Sequence, residues 1–230
     1  MGQLTGKVAL VAGAGRNNGK AISIAYAKEG ANLILVAREK QDALNAVVKE
    51  CESLGAKVLP LMADLSDHSQ VERLVQQGLD HFGQIDVLMS CAGRRAHQDF
   101  WQISYEEWEK TFAVNLHSLF YLAKAVVPSM LTAVADRLQS RAAEIAQLVV
   151  REVGKPLVEA QGEVARGISI LRFYAQSSFA AKGEIFPPSM SGLLWSERRP
   201  HGVAGLITPC SWLQICGRLK LFRFSTNGPI

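Results

Sequence analysis

A compact apolar run, Val8-Ala9-Leu10-Val11, leads into the stretch Gly13-Ala14-Gly15-Arg16-Asn17-Asn18-Gly19, and a helical pattern on Ala21, Ile24, Ala25 and Ala27 follows. No other feature narrows the fold as much. Strand, glycine turn and helix in this order place free amide hydrogens at a helix start, and glycine lets the backbone pass close to a bound group. The pattern then repeats. Residues 32–36 read as a second buried strand and 40–54 as a helix on Leu44, Val47, Val48 and Cys51. Residues 57–61 read as a third strand, 67–82 as a helix and 85–89 as a fourth strand.

Strands without polar alternation are buried on both faces, and helices between them force parallel crossovers, so the spacing predicts an α/β fold with a doubly wound, Rossmann-like parallel sheet. Ser104 with Glu107 three residues on is a capping box, opening a helix through Phe112 and Leu116 toward Val127, with Pro128 near its end. Beyond residue 130 the alternation stops. Leu131, Val134, Leu138, Ala142, Ile145, Leu148 and Val153 form the apolar stripe of one long helix, which Gly154-Lys155-Pro156 breaks. A second amphipathic helix over 157–181 carries Val164, Ile168, Leu171 and Tyr174. Residues 183–191, with Pro187-Pro188, read as a turn, 193–195 and 203–207 as strands able to pair in a hairpin, and 210–230 as a poorly specified tail. The expected division is a dinucleotide-binding region over 1–130, a mainly helical segment over 131–209, and the tail.

With 230 residues, nearly half apolar and a fifth charged, the chain has the composition of an ordinary globular protein. A formal charge of +4 from scattered Lys and Arg predicts no nucleic-acid partner. Cys51, Cys91, Cys210 and Cys216 have neither paired spacing nor a nearby His pair, which points away from a disulfide framework and from zinc and toward a reducing, cytoplasmic setting. No uninterrupted apolar run of about 20 residues and no basic-then-apolar leader is present, so neither membrane insertion nor export is expected.

Ligands of open α/β sheets bind at strand C-termini. Around the glycine turn, Gly13, Arg16, Asn17, Asn18 and Gly19 are candidates for holding a pyrophosphate; a tight turn alone would also explain the glycines, but here they sit inside a repeating βαβ unit. At the end of the second strand stand Ala37 and Arg38, with no carboxylate to accept from ribose hydroxyls. Arg38 and Arg16 together could clamp a 2′-phosphate, which favours NADP over NAD; two solvated surface arginines are the alternative. Asp64 and Leu65 follow the third strand, and Asp64 could accept from an adenine amino group. Cys91, Ala92 and Gly93 follow the fourth, small enough to let the chain pass under a ribose.

Gly13 and Gly19, Asp64-Leu65, Ala92-Gly93 and Asn115 resemble the glycine motif, adenine contact, Asn-Asn-Ala-Gly motif and helix asparagine of the short-chain dehydrogenase/reductase family over residues 5–130. The resemblance implies a nicotinamide cofactor, an NAD(P)-linked oxidoreductase activity and Asn115 as a member of the catalytic set. Ala12, Asn17, Ser90 and Cys91 depart from that pattern. The family's chemistry uses a Tyr-x-x-x-Lys pair, in which the lysine lowers the phenol pKa, and no Tyr here is followed by Lys at that spacing. Residues 144–164, Leu171-Arg172-Phe173-Tyr174-Ala175 and 198–209 resemble the N-terminal part of an aldehyde dehydrogenase. There the family's Trp and oxyanion-stabilising Asn after the Pro are replaced by Cys210 and Ser211. The expectation is a cofactor-holding oxidoreductase without its full catalytic apparatus. The alternatives are a non-catalytic fusion with capacity for self-association, or an aldehyde dehydrogenase fragment.

Overall fold

The computed structural model describes residues 2–95 and 98–176, together with the backbone of 183–186 and 194–197. Four strands, β1 (Val8–Ala12), β2 (Asn32–Ala37), β3 (Val58–Met62) and β4 (Val87–Ser90), form a parallel sheet in the order β3-β2-β1-β4. Helices α1 (Asn17–Lys28), α2 (Gln41–Ser53) and α3 (His68–Phe82) connect them. Val8 pairs with Asn32 on one side of β1 and Ala9 with Val87 on the other.

Alternation along the strands divides the core in two. Val8, Leu10, Ala12, Ile34 and Val36 face one layer, with Val71, Leu74, Leu122 and Val126. Ala9, Val11, Leu33 and Leu35 face the other, with Leu44, Val47, Val48 and Cys51 of α2. Each large side chain so buried contributes roughly 1.5–3 kcal/mol. Burial on both faces holds for β1 and most of β2, whereas β3 and β4 are only half-buried because they are the edges. Pro60 lies in β3, opposite Leu35; lacking an N–H, proline suits an edge strand. On α1 the buried face is Gly19, Ser23 and Ala27, not the sequence-predicted Ala21 and Ala25, which are exposed. Small residues there bring the helix close to the sheet, and Ser23 Oγ donates to the Gly19 carbonyl.

Past a short 3₁₀ turn at Phe100–Gln102, helix α4 (Tyr105–Phe112) runs through a π-helical segment (Ala113–His117) into α5 (Ser118–Ser140). Pro128 lies inside α5 instead of ending it. The single helix expected beyond residue 130 is likewise divided, since α6 (Ala142–Val153) starts after a break at Arg141. The continuous stretch from Tyr105 to Ser140 is long and apolar enough to cross a membrane by length and composition, which the search for uninterrupted apolar runs missed. Part of that apolarity serves the core through Leu122 and Val126.

The chain divides into two compact units between Ala133 and Val134. In the second, α6 packs against α7 (Leu157–Gln176) around Ala135, Ala146, Val149, Ala160, Val164 and Ile168. Gly154, in the left-handed region at φ 72°, ends α6, and Lys155 pairs with Glu163. Ala175, not Tyr174, lies in the buried face of α7. Strands β5 (Gly183–Phe186) and β6 (Leu194–Glu197) pair antiparallel, so the first half of the expected 183–191 turn is a strand. The proposed partner segment 203–207, the tail, Cys210, Ser211 and Cys216 lie outside the described residues.

Candidate functional site

The glycine turn is built by close approach. Gly13, at φ 79°, donates to the Val36 carbonyl at 2.8 Å, as does Ala14 at 3.0 Å. A Cβ on Gly13 would lie 2.7 Å from the Ala92 nitrogen, and one on Gly19 would lie 2.0 Å from the Gly13 carbonyl oxygen. Neither position accepts a side chain without moving backbone. Asn17, which departs from the glycine motif that the turn resembles, takes φ 47°; asparagine is among the residues that tolerate this left-handed region best.

Helix α1 begins without a side-chain cap. Arg16 at its N-cap makes no capping bond, and no acidic residue lies in the first turn. Lys20 is the first residue to donate back, to the Arg16 carbonyl at 3.2 Å, so the amides of Asn17, Asn18 and Gly19 stand outside the helix ladder. An anion at that position would meet free donors and the positive end of the helix dipole. The residues present thus fit a dinucleotide's pyrophosphate, with the glycines letting the turn pack tightly against α1 and the end of β4 so that these amides face outward together.

A cleft of about 580 Å³ opens over this turn. Gly13, Arg16, Asn17, Asn18 and Gly19 line it from the turn, Arg38 from the end of β2, Asp64 and Leu65 from the end of β3, and Cys91, Ala92 and Gly93 from the end of β4. The sheet order places the cleft where the chain reverses from building toward β3 to building toward β4, the switch point of a doubly wound fold. Asn115 is not in the wall. It stands in the π-helical segment, where its Oδ1 accepts from the Arg94 N–H at 2.7 Å and its Nδ2 donates to the Arg94 carbonyl at 2.9 Å.

One chemical expectation needs correction. The end of β2 does carry a carboxylate, because Glu39 lines the cleft and pairs with Arg38 at 2.8 Å. Asp64 already accepts from the Ser66 N–H at 2.9 Å and hydroxyl at 2.6 Å on one oxygen, leaving its other oxygen for a ligand. Arg94, Arg95 and Lys40 also line the cleft and were not singled out from sequence; their cationic side chains flank the strand-end motifs, which was the available signal. The capping box is half-formed. Ser104 Oγ accepts from the Glu107 N–H, but the Glu107 carboxylate turns to Arg94 instead of back to Ser104, and that guanidinium holds it below the usual carboxylate range.

The family model of short chain dehydrogenase matches residues 7–164, well over half the chain and beyond the boundary expected at 130. The chain belongs to the short-chain dehydrogenase family. The aldehyde dehydrogenase family model matches residues 127–212. Similar proteins include an uncharacterized oxidoreductase of Bacillus subtilis, 35% identical over 130 residues, 56% of this chain and 45% of that protein. A hydroxynaphthalene reductase-like protein of Metarhizium anisopliae is 34% identical over 53% of this chain and 45% of its own. The chain spans about half the length of these curated relatives.

Among solved structures, a short-chain dehydrogenase/reductase of Serratia marcescens superposes with a TM-score of 0.54 at 31% identity, covering 55% of this chain and 52% of that one. A short chain dehydrogenase of Mycobacterium paratuberculosis bound to NAD superposes equally well at 25% identity, over 56% and 52%. In this chain, the residues four positions after Tyr26, Tyr105, Tyr121 and Tyr174 are Gly30, Glu109, Ala125 and Ser178. The Tyr-x-x-x-Lys spacing is not in its sequence.

Proposed function

We propose that this chain holds NADP in the cleft over the glycine turn, as an NAD(P)-linked oxidoreductase of the short-chain dehydrogenase family that carries the cofactor site without the family's Tyr-x-x-x-Lys proton donor. The observation that supports this most is the uncapped start of α1, where three free amides and two glycines face a cleft that also carries Arg16 and Arg38. Bound there, the cofactor would accept or give a hydride; the protein's part is to seat the pyrophosphate on α1 and the adenosine toward β2 and β3. The Arg38–Glu39 pair does not oppose a 2′-phosphate. Both side chains are exposed, so the pair is weak, and a dianionic phosphate competes well for the guanidinium. The cysteine pattern supports a cytoplasmic setting.

Calorimetric titration with NADPH and NADH tests the reading. NADPH is expected to bind tighter, and Arg38→Ala to remove most of the preference, by about tenfold. No binding of either nucleotide would overturn it. A second reading rests on the aldehyde dehydrogenase match over residues 127–212: this segment serves packing or self-association in a non-catalytic fusion, or is a fragment of an aldehyde-oxidising enzyme. Aldehyde oxidation by the purified chain would favour the latter.

A further inference from the structure

Arg94 is tied down more thoroughly than a solvated surface cation needs to be. Its backbone N–H and carbonyl are both taken by Asn115, at 2.7 and 2.9 Å. Its guanidinium pairs with Glu107, which stands in the first turn of α4 and forgoes its own capping-box bond to reach it. Yet Arg94 Nε, although buried, has no acceptor among the described residues, and the same side chain lines the cleft. A buried donor left without a partner is costly unless a ligand completes it.

The sheet order says which part of a ligand is there. Arg16 heads α1 at the centre, Arg38 and Asp64 follow β2 and β3 on one side of β1, and Arg94 follows β4 on the other. A dinucleotide with its pyrophosphate on α1 and its adenosine toward β2 has its nicotinamide half over residues 91–95. That half offers ribose hydroxyl, phosphate and carboxamide oxygens as acceptors. The geometry points to Arg94 as a binding residue for the nicotinamide half of the cofactor, with Glu107 as the residue that positions its guanidinium. This rests on the dinucleotide reading above.

Titration of the full chain with NADPH beside 2′,5′-ADP, and with NADH beside ADP, separates the two halves, because the fragments lack the nicotinamide side. Arg94→Met is expected to weaken whole-dinucleotide binding by about tenfold while leaving fragment binding unchanged, the loss of one charge-assisted contact. Arg94→Lys recovers part of the loss, and Glu107→Gln shows a smaller loss of the same selective kind. Equal binding of whole dinucleotides by wild type and Arg94→Met overturns the assignment, as does an equal loss of fragment and whole cofactor, which marks a folding defect. If the wild type binds neither fragment nor dinucleotide, the cofactor reading itself fails.

Discussion

Cys51 and Cys91 show how far one side chain's chemistry depends on its neighbours. Cys51 is fully buried on the inner face of α2, where burial, with Glu50 adding, pushes its thiol up to about 11. Cys91 sits half-buried in the cleft wall. Peptide mapping after brief treatment with a thiol reagent near pH 8 is expected to find Cys91 modified, Cys51 intact, and Cys91 shielded by bound NADPH. Labelling of Cys51 at a comparable rate would contradict this. All eleven cofactor-site residues chosen from sequence line one cleft, because strand-end position is written in local apolar runs and glycines. The Glu39 and Arg94 contacts were not legible. Glu39 was passed over as a carboxylate two residues beyond the strand end, and Arg94 meets Glu107 only after the chain between them folds back.

Helix starts and stops test the next scale up. Asp67 caps α3 by accepting from the Ser69 N–H at 2.8 Å and from the Gln70 side chain at 3.0 Å. Those bonds, Gln70's first and then Ser69's, lower its pKa from 3.8 to about 2. A depressed carboxylate stabilises the fold above its unfolded pKa, and the contribution is lost as pH falls through the folded value, so this cap fails between about pH 4 and pH 2. Asp67→Asn keeps a capping side chain that cannot titrate. It is expected to flatten the acid-unfolding curve in that window, and an unchanged curve would show that the cap does not matter there. Asp67 as a helix start was legible from sequence; Pro128 and Arg141 were not. Proline costs an interior helix roughly 3 kcal/mol, but α5 buries Leu122 and Val126 just before it and continues. At Arg141 no glycine or proline marks the break. Ser140 Oγ bonds the Arg137 carbonyl, the Arg141 N–H donates three residues back to Leu138, and its guanidinium pairs with Glu144.

For the molecule as a whole, apolar surface is the dominant liability. Trp101 is 91% exposed and Tyr105 89%, and Trp108, Leu116, Leu119 and Phe120 follow them along α4 and α5, also exposed. This many large apolar side chains left in water on neighbouring helical turns favour association. Sedimentation is expected to show concentration-dependent self-association, which Leu116→Gln with Phe120→Gln reduces; a monodisperse monomer at every concentration would refute this. The parallel sheet and its helices were legible at this scale because each βαβ unit repeats the same pattern. Edge exposure was not, since it depends on which strands are neighbours. That same order sets a sequence in time. The strand made first, β1, is central, and it pairs with β2 soon after but with β4 only once Val87 has been synthesised. During elongation one side of β1 therefore waits with its backbone groups unmet, and the backbone of Cys91 and Ala92 that packs against Gly13 reaches its place only after β4 has been made.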